Sequence, residues 1–91
     1  PAYMAPEQAA DPARVDHRAD QYALGATFYH AVTGQLPFPG RSAAQMLLRH
    51  ATEPPVPPHL VAPHLAQPDV SAVVLKMMAK KPADRYPSYE A

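Results

Sequence analysis

The sequence predicts a mainly α fold: three helices joined by long proline-rich loops. Apolar residues recur at helical spacing in three separate stretches, each stretch carries helix-end signals, and no stretch alternates apolar and polar residues as a half-buried strand would. The 13 prolines fall between the periodic stretches, as stops and loop residues do. With 47% hydrophobic residues, the chain has more apolar surface than a disordered proline-rich linker carries.

Residues 1–15 read as a loop, because prolines and scattered alanines give no sustained period. A helix then occupies 16–34, with Asp16 as its N-cap and Gly34 as the residue that ends it. Ala19, Tyr22, Ala23, Ala26 and Tyr29 form one apolar stripe on it, and Leu24, Phe28, Ala31 and Val32 form another on a different face. A helix apolar on several faces requires protein on several sides, more than short helices and loops supply.

Ser42 and Gln45 match the S-x-x-Q capping box and open a second helix over 42–51, carrying Met46 and Leu47. Pro54 and Pro55 bar its continuation. Residues 54–68 read as an extended surface loop. Val70, Val73, Val74, Met77 and Met78 then repeat at i, i+3, i+4, i+7 and i+8, the pattern of an amphipathic helix over 69–81. Lys76, Lys80 and Lys81 stand toward its C-terminal end, where the helix dipole favours positive charge. Pro82 stops that helix, and 88–91 read as the first turn of a last one.

Composition narrows the function. Eight basic residues balance eight acidic ones, so no bulk charge draws the chain to nucleic acid or to an anionic membrane. Without cysteine there is no disulfide framework, thiolate metal site or cysteine nucleophile. No apolar stretch approaches the roughly 20 residues of a membrane-spanning helix. His17, His30, His50, His59 and His64 show no ligand-like pairing, so they read as ordinary surface or packing residues and no metal site is expected.

Four motifs stand in order along the chain. Tyr3 to Glu7 reads YMAPE, Asp20 to Gly25 reads DQYALG, Thr33 to Phe38 reads TGQLPF, and Lys80 to Tyr86 reads KKPADRY. The first resembles the end of a protein-kinase activation segment, where A-P-E is part of the signature set. The others resemble the family's D-x-Y-x-L-G, T-G-x-x-P-F and K-x-P-x-x-R segments. In order and spacing the chain is similar to the C-terminal lobe of bacterial eukaryotic-like (Hanks-type) Ser/Thr protein kinases, from the end of the activation segment to the start of the last helix.

The resemblance implies a function in part of a kinase that transfers the γ-phosphate of ATP to protein Ser or Thr. ATP and Mg2+ would serve the whole kinase and neither would be bound here, since phosphate-holding loop, strand lysine, catalytic loop and D-F-G are all absent from these 91 residues. It therefore implies no catalytic residue in this segment. Pro1, Ala2, Tyr3 and Met4 would form part of the substrate-docking loop, the family's glycine and threonine falling just before Pro1. Glu7 and Arg85 would form an ion pair tying the activation segment to the end of the lobe. Asp20 would position the catalytic loop, and Gly25 would be structural. The expected partners are protein substrates and the N-lobe and catalytic loop of the same protein, with a cytoplasmic kinase domain and no membrane contact from this segment. A degenerate kinase lobe serving as a protein-binding module is the alternative.

Overall fold

The computed structural model describes residues 2–11, 13 and 16–87. Among them, five α-helices follow one another: α1 Pro6–Ala10, α2 His17–Thr33, α3 Ala43–Thr52, α4 Pro58–Val61 and α5 Pro68–Met77. A 3-10 turn at Pro82–Asp84 follows, and no strand occurs among the described residues. The three longer helices stand where the apolar periodicity puts them. The two short ones, α1 and α4, lie in segments that read as loops.

Proline accounts for the difference. Pro6, Pro58 and Pro68 each begin a helix. The ring presets a helical φ, and the missing N–H belongs to a first turn that leaves it without a helical partner anyway. Prolines expected as stops thus act as starts. Gln8 completes the first turn of α1 by accepting the Ala5 N–H on its Oε1 at 2.8 Å. α5 also ends earlier than expected, at Met77 rather than 81, so Lys80 and Lys81 lie beyond it. The expected turn at 88–91 falls outside the described residues.

The caps of α2 follow the sequence. Asp16 Oδ1 accepts the Arg18 N–H at 2.9 Å, and Gly34 takes a left-handed φ of 74° while donating its N–H to the His30 carbonyl at 2.8 Å. At α3, Ser42 Oγ accepts the Gln45 N–H at 3.1 Å, but Gln45 Oε1 takes the Arg41 N–H at 2.6 Å. The return half of the expected box has moved back by one residue.

α2 is the centre, packed against α4 and α5. Its Ala19, Tyr22, Ala26 and Tyr29 join Ala5, Phe38, Val74 and Met78 in the core. The expected apolar stripe of α5 is divided: Val74, Met77 and Met78 are buried, whereas Val70 and Val73 are exposed. Ser71 is buried in their stead, because its hydroxyl lies 2.8 Å from both the backbone N and Nδ1 of His59 and so turns that side of the helix toward α4. The second face of α2 is open: Leu24 is 37% exposed and Phe28 45%. The molecule measures 39 × 36 × 17 Å, and its least dimension is under two helix diameters of about 10–12 Å each. There is room to cover α2 on one side.

Gly25 allows α2 and α5 to meet. A Cβ there would lie 2.8 Å from Met77 Cβ and 3.0 Å from Met78 Cγ. The first of these is the root of a side chain and cannot swing away. Gly25→Ala should therefore destabilise the chain by about 1–3 kcal/mol through overpacking. The gain of about 1 kcal/mol in helix propensity that alanine normally brings offsets only part of it, because Met77 Cβ cannot move aside and puts the cost in the upper part of that range. Urea unfolding checks the sign, and a stabilised variant would mean that the two helices do not approach at Gly25.

Candidate functional site

Arg85 follows the 3-10 turn that Pro82 opens, and is only 3% exposed. Its guanidinium offers five N–H donors. Nη1 donates to Glu7 Oε2 at 2.6 Å and to the Arg18 carbonyl at 2.9 Å, and Nη2 donates to Glu7 Oε1 at 2.9 Å and to the Lys80 carbonyl at 3.4 Å. Nε donates to the Ala79 carbonyl at 2.8 Å. Every donor has an acceptor. The two nitrogens meet both oxygens of one carboxylate, the bidentate geometry that a planar fork permits and an ammonium does not. Glu7 and Arg85, remote in sequence, are thus in contact, and α1, the start of α2 and the segment after α5 converge on one side chain.

Beneath the guanidinium lies the Tyr22 ring, its centroid 4.9 Å from the Arg85 carbon. Burial pushes the Tyr22 phenol well above its ordinary value, so the hydroxyl keeps its proton. That hydroxyl is 2.6 Å from Nδ1 of His50, which is fully buried on α3. His50 Nε2 is in turn 3.0 Å from the Ala2 carbonyl. The route from Arg85 to the N-terminal loop therefore runs through two aromatic side chains.

Ala2, Tyr3 and Met4 line an open groove of about 570 Å3 together with Gln8, Ala23 and Met46. The Tyr3 hydroxyl lies 2.8 Å from His30 Nδ1 on α2, and the two rings stack at 6.1 Å. Pro1 falls outside the described residues. Asp20 is exposed in the first turn of α2, next to the open face bearing Leu24. Gly25 lies at the α2–α5 contact, apart from the groove.

Three participants escape a reading of the sequence. Gln21 is 1% exposed and grips the Tyr86 backbone in both directions, Nε2 to the carbonyl and N–H to Oε1, each at 3.0 Å. Nothing in its spacing marks it. His50 does carry a signal, standing four residues after Met46 on the side of α3 that faces inward. Lys80 Nζ is held 4.2 Å from the centre of the buried Phe38 ring, with the Arg49 guanidinium at 5.8 Å from the same ring. Burial lowers the Lys80 pKa from 10.5 to about 8, with Arg85 adding to the shift and Glu53 opposing it. Among the described residues no cluster of three or more metal-ligating side chains forms, and no helix is long and apolar enough to cross a membrane.

A central helix buried on one face, shorter helices packed on that face and an ion pair binding the ends together define a helical scaffold with a groove on its surface. No protein-family model matches the chain. Individual proteins do. The chain is 46% identical over 91 residues to the serine/threonine-protein kinase Pkn1 of Myxococcus xanthus, covering all of this chain and 13% of that protein. It is 42% identical over 92 residues to the serine/threonine-protein kinase pkn3 of the same organism, covering all of this chain and 17% of the relative. With the serine/threonine-protein kinase PknB of Mycobacterium tuberculosis the identity is 43% over 84 residues, 92% of this chain and 13% of the relative. Over 92 to 100% of its length the chain thus matches a segment of bacterial Ser/Thr protein kinases, and its helical fold fits a fragment of their C-terminal lobe.

Two outcomes follow from this geometry. Removing one member of a buried pair strands the other charge, at a cost of about 3–5 kcal/mol. Glu7→Gln and Arg85→Ala should each fall in that range, Arg85→Ala the larger because three carbonyls also lose their donor. The double variant should lose much less than the sum. Additive losses in urea unfolding would mean that the pair is not coupled.

The second outcome concerns pH. Folded Lys80 releases its proton near pH 8 and the unfolded side chain near about 10.4, so between those values the unfolded state binds more protons. Stability should therefore rise from about pH 8 toward about pH 10, and Lys80→Met should flatten that rise. Melting curves across the window decide it: an equal rise in the variant assigns the effect to another group.

Proposed function

We propose that this chain is the scaffold and part of the substrate-docking surface of a kinase that transfers the γ-phosphate of ATP to Ser or Thr of proteins. The observation that supports it best is the Glu7–Arg85 contact, which draws the YMAPE and KKPADRY segments together. One end of the activation segment is thereby anchored to the far end of the lobe. Ala2, Tyr3 and Met4 then lie at the groove, where they would pack against the substrate residue that follows the phosphorylated one, together with Pro1. Asp20 is exposed beside the apolar Leu24 and Phe28, and there it would accept hydrogen bonds from the backbone of the catalytic loop. Gly25 keeps that helix close to α5.

The chain spans 13 to 17% of the relatives it matches, so nucleotide handling belongs to other segments of the whole kinase. ATP and Mg2+ would be cofactors of that whole kinase, held by segments other than this one. The partners are protein substrates and the N-lobe and catalytic loop, and the lobe works in the cytoplasm. The scaffold's contribution is positional: it holds the acceptor side chain in line for attack, the part of phosphoryl transfer that depends on geometry.

The test is phosphate transfer from ATP to a Ser/Thr protein substrate by the full-length kinase that carries this segment. Incorporation on Ser or Thr, reduced by Glu7→Gln, is expected. A full-length protein that binds the substrate without transferring phosphate overturns the enzyme reading in favour of a binding module. The 91-residue chain alone should give no saturable heat when titrated with ATP and Mg2+. Micromolar affinity there would place nucleotide binding in this segment and sink the division of labour.

A further inference from the structure

We infer that His50 is a positioning residue for substrate docking, holding the Ala2 carbonyl and through it the adjoining Tyr3 and Met4. The proposal rests on the reading of that loop as the docking loop.

The chemistry of the two contacts assigns the ring's tautomer. The Ala2 carbonyl can only accept, so Nε2 carries the proton at that 3.0 Å contact. Nδ1 then presents its lone pair to the Tyr22 hydroxyl, 2.6 Å away, which donates. Tyr22 is suited to that role because burial keeps its phenol protonated. Tyr22 is held from the other side by the Arg85 guanidinium stacked on its ring. Phe38 closes the cage around the imidazole, edge to face at 4.9 Å. The ring has no room to turn, so it fixes a direction as well as a distance.

Ala2 itself contributes only a methyl group, and its side chain cannot anchor the backbone that precedes α1. The imidazole supplies that anchor across 48 positions of sequence. Met46, one turn earlier on α3, lines the same groove as Ala2, Tyr3 and Met4. α3 thus supplies both a residue of the groove lining and the bond that holds the segment carrying three others.

The test uses the full-length kinase with His50→Leu, His50→Gln and Tyr22→Phe. Leucine fills the cage without either bond, whereas glutamine carries an acceptor and a donor on one planar group and can serve both Tyr22 and Ala2. His50→Leu should raise KM for a peptide substrate about five- to tenfold, the weight of one buried hydrogen bond, with kcat and KM for ATP within about twofold. His50→Gln should recover most of the loss. Tyr22→Phe, which removes the hydroxyl bond to Nδ1 and leaves Nε2 in place, should fall between them.

Equal losses for leucine and glutamine, or a fall in kcat with KM unchanged, would overturn the proposal. So would a nitrogen NMR spectrum of the unsubstituted kinase showing His50 protonated at Nδ1 and bare at Nε2, a readout that needs no folded variant. An unchanged KM in His50→Leu overturns it as well, and the amide resonances of Ala2 and Tyr3 then locate the fault. If they move, the loop is held by His50 but is not the docking loop. If they stay, His50 does not hold it.

Discussion

The interaction on which this fold depends is the saturation of one guanidinium. Arg85 has five N–H groups and the structure supplies five acceptor contacts, from a carboxylate and three carbonyls, in the dry space between α1, α2 and the segment after α5. A buried cation is tolerable only when its donors are all met. These segments are therefore held in one arrangement, because any other would leave part of the charge without an acceptor. Specificity of arrangement, more than bulk stability, is what the pair contributes.

From that point the order spreads through aromatic groups. Arg85 rests on Tyr22, Tyr22 points its hydroxyl at His50, and His50 reaches Ala2. Lys80 and Arg49 approach Phe38, whose edge contacts the same imidazole. Each cation near these rings is partly stripped of water and compensated by a ring or a carbonyl. A continuous run of contacts thereby joins the segment between α5 and the 3-10 turn to Ala2 at the groove.

The fold was largely legible in the sequence where local rules govern. The limits of α2 follow from Asp16 and Gly34, and those of α3 from Ser42 and Pro54, because caps act within one turn. The short helices were not legible, since the same ring that stops a helix also starts one and Pro6 and Pro58 look alike in either role. The division of the α5 stripe escaped for a different reason. Ser71 is buried by a bond to His59, which periodicity cannot foresee. Of the groups in the site, Glu7 and Arg85 were named through resemblance, as spacing alone pairs nothing at such separation. Gln21 acts through main-chain atoms of a distant residue, of which a pattern of side chains holds no trace, and for His50 the spacing from Met46 signals burial but not the Ala2 carbonyl it meets.

The choice of acceptors around Arg85 bears on how the sequence can drift. Arg18, Ala79 and Lys80 are recognised only by their carbonyl oxygens, so their side chains are free to be exchanged without disturbing that junction. Among the acceptors Glu7 alone is read by its side chain, and beneath the guanidinium Tyr22 is read by its ring. The constraint therefore falls on three letters of the sequence out of the six residues that meet there. Two distantly related chains can keep this joint intact while differing at half of the positions that build it.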